Sequence, residues 1–256
     1  QEIITSSLWI ARTLALTVIF FSLGIFLLVC FTNWGKQFWT FAGGYLSPKR
    51  SIKPLLFFVL IVTLTLFSVR LSLVHSTWYN NMYTSLQEFN QAVFWEQIIL
   101  FCFIAGFSVT AALISYYLNQ RFSINWIEWL NTELLEKWMD KRAYYKSQYM
   151  SNNLDNPDQR IQQDIQSYVK TTLSLSTGVI DAVTSMISYT ILLWGLAGPM
   201  TLLGVEIPRA MVYLVFAYVI FTTLIAFWLG KPLIRLNFAN EKLNANYRYS
   251  LIRVKE

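Results

Sequence analysis

The amino-acid sequence predicts an all-α membrane protein, and three observations carry that prediction. Of the 256 residues, 55% are hydrophobic, 17% aromatic and only 13% charged, against about 25% charged in soluble domains. The apolar residues gather into five stretches, each close to the roughly 20 residues a helix needs to cross hydrocarbon. Proline-free runs then carry several of those stretches far past the thickness of a bilayer. Such a chain is neither disordered nor an ordinary cytosolic enzyme. Its net charge of +6 does not indicate nucleic acid, because the basic residues flank apolar stretches, where membrane orientation accounts for them.

The predicted spans are Leu8 to Phe31, Pro54 to Trp78, Trp95 to Leu118, Val179 to Leu203 and Ala210 to Gly230. The first is too long for a signal peptide, is flanked by Trp9 and Trp34, and lacks a basic leader or a small-residue cleavage site, so it reads as a retained span. Lys and Arg counts set the orientation, since cytoplasmic loops retain them. Thr32 to Lys53 carries Lys36, Lys49, Arg50 and Lys53 with no acid, which makes it cytoplasmic. Asn80 to Phe94 has Glu88 and no base, and the Gly204 to Arg209 turn has one of each, so both are expected outside. Asn119 to Lys170 and the tail from Lys231, with six Lys or Arg against two Glu, fall inside. An odd number of spans puts the N-terminus outside, with Arg12 as a snorkelling anchor. Cys30 and Cys102 lie within apolar runs and read as small core residues.

From Trp95 to Ser151 there is no proline and a single glycine, Gly106. A helix of about 50 residues would reach roughly 75 Å, more than twice the hydrocarbon thickness. Its projecting part keeps an apolar stripe of Phe122, Trp126, Trp129 or Leu130, Leu134 and Trp138, while Glu128, Glu133, Glu136, Lys137, Lys141 and Arg142 cover the rest. That stripe calls for a neighbouring helix. The neighbour starts at Asn156-Pro157-Asp158-Gln159: Asn156 suits the N-cap, Pro157 the first turn, Asp158 the positive end of the dipole and Gln159 the reciprocal capping position. It runs without another proline to Pro199, leaving the turn Ser151 to Asp155 tens of ångströms below the bilayer. A third projecting helix follows Gly230, interrupted or bent at Pro232.

With these residues in view, the sequence resembles the ABC transporters related to the peroxisomal fatty acyl-CoA importers and their bacterial YddA-like half-transporter relatives. Asn156-Pro157-Asp158-Gln159-Arg160, followed by Asp164-Ile165, is similar to the NPDQR motif of that family's first intracellular loop. Trp78-Tyr79-Asn80-Asn81-Met82-Tyr83-Thr84-Ser85-Leu86-Gln87 resembles the stretch at the outer end of its first core helix. Trp126 to Trp138 with Tyr144-Tyr145 resembles its tryptophan-rich pattern. Tyr247-Arg248 and Leu251 resemble the lead into its EAA-like motif. One departure stands out: Asn125 and Glu128 occupy positions where the family often has Arg, which weakens any phosphate-like or acyl-carrier contact there.

The resemblance implies an ABC exporter-type (type IV) transmembrane helical bundle with long cytoplasmic extensions. Residues 1–53 would form an extra N-terminal span and a cytoplasmic elbow, and residues 54–256 the first four core helices with the first intracellular loop. Asn156, Pro157, Asp158, Gln159, Arg160 and Asp164 would couple the bundle to an ATP-binding domain, fused or separate, that carries ATP and Mg. None of the 256 residues forms a G-x-x-x-x-G-K-S/T phosphate loop, so nucleotide chemistry and ATP hydrolysis are expected outside them. The implied assembly is a homodimer in lipid, in a bacterial inner membrane. A metal site and a catalytic residue are not expected.

Ionisable groups within spans are costly and become candidates for a translocation path. Arg70 follows the uncharged Leu55 to Val69 and either lines the path, pairs with an acid, or snorkels. His75 near the outer surface is either an interfacial hydrogen-bonder or a substrate or proton contact. Asp181 at the inner boundary is either hydrated or paired, or touches cargo. Thr171, Thr172, Ser174, Ser176 and Thr177 crowd the base of the same span, where they bond between helices or wet a vestibule. Asp158, Arg160 and Asp164 admit a local reading as dipole-favourable and i, i+4 helix residues beside the mechanical one. Two transport functions compete: an ATP-driven transporter of a lipidic, cobalamin-like or peptide substrate, and a proton-driven peptide transporter of the SbmA/BacA type without an ATPase domain. A membrane enzyme or receptor is disfavoured by a single His and the lack of a Cys/His ligand set.

Overall fold

A computed structural model describes residues 2–47, 51–140, 157–202 and 205–255. It is helical but for one small hairpin, and its helices divide between two compact units, residues 1–188 and 189–256. Among the described residues five helices are long and apolar enough to cross a membrane.

In the first unit, α1 (Glu2–Phe31) and α2 (Asn33–Leu46) meet at Thr32. The Thr32 hydroxyl donates to the Leu28 carbonyl at 2.6 Å and accepts from the Gly35 N–H at 2.9 Å, closing one helix and capping the next. A side chain on Gly35 would collide with the Leu28 carbonyl, so the joint requires glycine. α3 (Lys53–Gln87) starts with Pro54 in its first turn, where the missing N–H costs nothing. It closes over a tight reversal with Phe89 at φ 52°, after which Asn90 caps α4 by accepting from the Val93 N–H at 3.3 Å. The short reversal makes α3 and α4 antiparallel neighbours, tied near the reversal by the Trp78 indole N–H donating to the Gln97 carbonyl at 2.8 Å.

α4 (Gln91–Met139) is 49 residues long, about 74 Å at 1.5 Å per residue, so it outruns a bilayer as the sequence implies. The predicted stripe is its buried face. Phe122, Trp126 and Leu130 are 1 to 3% exposed and sit in one core with Ala42 and Tyr45 of α2, Ile61 of α3, and Ile165, Val169 and Leu173 of α5 (Pro157–Leu196). Tyr45 stacks on Trp126 with ring centroids 5.5 Å apart, and the Tyr168 hydroxyl donates to the Phe38 carbonyl at 3.1 Å. Gly44 makes this packing possible: a Cβ there would stand 2.7 Å from the Trp129 ring. A second apolar cluster joins Leu14 of α1 to Val62 and Leu66 of α3 and Ile180 of α5.

In the second unit, the span read as Val179 to Leu203 stops being helical at Leu196. Gly198 and Pro199 end it, because proline cannot continue the ladder and disfavours helix in the residue before it. Instead of a simple turn, β1 (Met200–Leu202) and β2 (Val205–Ile207) form an antiparallel hairpin pairing Met200 with Ile207 and Leu202 with Val205. Arg209, at φ 60°, lays its guanidinium 4.3 Å from the centre of the Trp194 ring. α6 (Ala210–Lys255) then runs through Pro232. Of the two outcomes expected at Pro232, an interruption is excluded, since the helix continues past it; the lost N–H leaves the Trp228 carbonyl without its i+4 donor.

Candidate functional site

The sequence-derived site residues fall into three places. Asn156 and the turn before it lie outside the described residues. α5 does begin at Pro157, where the helix-start signal put it, with Asp158, Gln159 and Arg160 in its first turn; the side chains of these four lie outside the described residues. Asp164, one turn further, is exposed, while its neighbour Ile165 is buried against α2 and α4. Tyr247 is exposed on α6, and the side chains of Arg248 and Leu251 lie outside the described residues.

The three candidates for a path are not brought together. Arg70 is half-buried, with its guanidinium 5.7 Å from the centre of the Trp9 ring of α1, a cation–π contact. His75, five residues on, is rotated about 140° around the helix and meets α4 instead. Its ring stands edge-on to Trp78 at 5.2 Å and to Phe101 at 5.9 Å. Just beyond, the Tyr79 and Tyr83 hydroxyls are 3.3 Å apart on an exposed face. Asp181 is exposed on α5, beside Ile180 of the second cluster. Of the small polar residues near the base of this span, Thr177 donates to the Leu173 carbonyl of its own helix at 2.9 Å.

Sequence reasoning missed an open groove between α4 and α5. It has a volume of about 580 Å³ and is lined by Ser123, Ile127, Glu128 and Asn131 from α4 and by Gln166 and Lys170 from α5, among others. Helical hydroxyls in this fold usually donate to the carbonyl four residues back, as those of Thr63, Ser68, Ser108 and Thr132 do at 2.8 to 3.0 Å. Ser123 does not: it is 5% exposed, and its hydroxyl has no hydrogen-bond partner. Residue types alone gave no signal for this, because a serine on a helix ordinarily satisfies itself locally. Among the described residues no group of three His, Cys, Asp or Glu is placed to hold a metal.

Comparison with known proteins bears on this architecture directly. Residues 42–256 match the family described as ABC transporter transmembrane region 2. This chain belongs to that family. It is 78% identical, over its full length and 43% of the relative's, to an ABC transporter ATP-binding protein of Haemophilus influenzae. It is 31% identical, over 85% of its length and 38% of the relative's, to the inner membrane ABC transporter ATP-binding protein YddA of Escherichia coli. It is 30% identical, over 88% of its length and 30% of the relative's, to ABC transporter D family member 2, chloroplastic, of Arabidopsis thaliana. The chain therefore spans less than half the length of these relatives. As an ABC transporter transmembrane region with five apolar helices, it is an integral membrane protein. The family match starts at Ala42, inside α2, so α1 and most of α2 precede the matched region.

Proposed function

We infer that this chain is the transmembrane part of an ATP-driven transporter that moves a lipidic, cobalamin-like or peptide substrate by alternating access, as a homodimer in a bacterial inner membrane. The observation that carries the reading is the family match over 42–256 on a fold whose helices greatly exceed the bilayer. A helix of that length can bring a force applied at the level of Pro157 to the membrane spans without a flexible link. The residues of this chain offer no phosphate loop, so ATP and Mg belong to a domain, fused or separate, outside them. What the chain itself contributes is mechanical. The buried core of α2, α4 and α5 holds the projecting ends of α4 and α5 together, so that movement at the start of α5 is shared by both helices. The switch is then a shift between two arrangements of the bundle. The Haemophilus and YddA relatives are named as ATP-binding proteins, which favours this over a proton-driven SbmA/BacA-type transporter.

The test is to read the gene beyond the codon for Glu256 and to assay the full-length protein in vesicles. A phosphate loop downstream is expected, and Asp158→Ala with Arg160→Ala should leave insertion intact while separating ATP hydrolysis from transport. A reading frame that closes after two further helices would overturn the ATP-driven reading in favour of the proton-driven one, and unchanged coupling in the variants would remove the role given to the loop.

A further inference from the structure

We propose that one face of α5 lines a water-filled part of the translocation path, and that the Asp181 carboxylate on it makes the path favour cargo bearing a cationic group. The proposal rests on the transport reading for calling that water-filled space a path.

Through its apolar part α5 carries three faces, about 120° apart at 3.6 residues per turn. The first packs inward, with Leu173, Ile180 and Thr184 buried. The second is apolar and open: Leu175, Val179, Val183 and Met186 are all exposed, as side chains that meet hydrocarbon are. The third consists of Thr171, Ser174, Gly178, Asp181, Ser185 and Ser188, at alternating spacings of three and four, each exposed or half-exposed. Over about 25 Å of helix this face bears no large apolar side chain. A Cβ on Gly178, at its middle, would meet nothing within 4 Å.

The hydroxyls alone decide nothing, since a serine or threonine can bond its own helix, as Thr177 does. Asp181 decides. The final stretch of α5, Thr177 to Leu196, has about the 20 residues that cross hydrocarbon, and Asp181 lies within it. Three and four residues to either side stand Thr177, Gly178, Thr184 and Ser185, so its own helix supplies no cation. Among the described residues Asp181 forms no ion pair. A carboxylate in hydrocarbon is costly, so intramembrane acids face a charged partner or a water-filled cavity. An exposed acid on a face of hydroxyls and glycine suits the cavity: the small side chains leave room for water and the hydroxyls bond it.

A second α5 packed symmetrically on this face would set one Asp181 against the other, and like charges repel. Lys170, the nearest basic residue of the helix, lies about 16 Å below Asp181 at the helical rise. The embedded part of the face is therefore negative. It attracts an ammonium or guanidinium group and repels a carboxylate or phosphate.

The experiment uses the full-length protein in lipid nanodiscs, with Cys30→Ser, Cys102→Ser and any further cysteine replaced. Ser174→Cys, Gly178→Cys and Ser185→Cys probe the polar face singly, and Leu175→Cys, Val179→Cys and Val183→Cys the apolar one. The reagents are two methanethiosulfonates, one ending in trimethylammonium and one in sulfonate, each rate divided by that for free 2-mercaptoethanol. Polar-face thiols should react and apolar-face thiols should not, because the reactive thiolate forms where water is present and is suppressed in apolar surroundings. Gly178→Cys and Ser185→Cys place the thiol about 5 to 6 Å from Asp181, so the cationic reagent should be favoured there. Adding Asp181→Asn should cut that preference by up to about tenfold at low salt, the effect of one charge at that distance acting with opposite sign on the two reagents in water. Should Asp181→Asn not accumulate, salt replaces it: between about 0.01 M and about 1 M the Debye length shrinks from about 30 to about 3 Å, and the preference should largely vanish.

Three results overturn the proposal: polar-face thiols as unreactive as apolar-face ones, which means that protein covers the face; equal reaction on both faces; or a cationic preference that neither Asp181→Asn nor salt reduces. ATP-driven transport by a protein whose polar face is unreactive would sink this face alone. The expected labelling in a protein that moves no cargo would sink the transport reading and leave a hydrated, cation-attracting face standing.

Discussion

Truncating Trp126 tests what holds the projecting helices together. Its side chain is 2% exposed, stacks on Tyr45 of α2 and meets Phe122 edge-on at 5.8 Å and Tyr168 of α5 at 6.1 Å. Trp126→Ala opens a cavity at the junction of three helices and should cost about 3 to 5 kcal/mol, the usual range for a buried aromatic. Trp126→Phe separates packing from polarity. The indole N–H has no partner, and a buried orphan donor costs about 1 to 3 kcal/mol. Phenylalanine keeps most of the ring, and removing the orphan offsets most of the lost area, so the net change should be within about 1 kcal/mol. Unfolding of the detergent-solubilised protein by added SDS, followed by near- and far-ultraviolet circular dichroism, gives both midpoints. If Trp126→Phe proves as damaging as Trp126→Ala, the N–H makes a bond that contributes to stability, and the reasoning from an unpaired donor fails.

The contact between Arg70 and Trp9 should anchor α1 on α3. In a protein carrying Leu14→Cys and Val62→Cys, whose parent side chains share a cluster, Arg70→Ala should slow disulfide formation several-fold and Arg70→Lys less so, since the planar guanidinium stacks better on an indole than an ammonium does; an unaffected rate would refute the anchor. Tyr45 makes a pH prediction. Burial pushes its hydroxyl up from 10.0 to about 12, so between those values the unfolded chain ionises and the folded one does not. Stability should therefore be fully present below pH 10 and fall as pH rises towards 12. The difference between the parent and Tyr45→Phe melting temperatures across that window isolates the effect, and parallel curves would contradict it.

The long helices were legible because their signals are local. The proline-free run after Trp95, the cap-and-proline start at Pro157 and the three-to-four spacing of Phe122, Trp126 and Leu130 each act within a few residues, and all three appear in the fold. The second partner of that stripe was not legible. α2 presents Ala42 and Tyr45 to it on either side of Gly43 and Gly44, which in a sequence read as breaks; only the position of Trp129 over Gly44 shows that the glycine makes room. In the sequence Met200–Leu202 reads as the end of a span and Val205–Ile207 as part of the turn after it, because apolar runs of a few residues do not distinguish helix from strand. Arg70 stood out as a costly charge, but its neighbour Trp9 is 61 residues away in the chain, beyond the reach of any periodicity. Ser123 gave no signal at all, since what distinguishes it is a bond it does not make.

The hydroxyl of Tyr168 meets the carbonyl of Phe38 across 130 residues of sequence. A ribosome adding about 5 to 20 residues per second needs on the order of ten seconds to cover that interval. Throughout it, α2 lacks the Tyr168 contacts made to Phe38 and Phe41, and its Trp39 and Phe41 are both about 40% exposed even in the finished fold. Biogenesis of this protein thus includes a waiting period in which a short aromatic helix is incompletely covered, and a chaperone or insertase able to shield it then would raise the yield without touching the mature molecule.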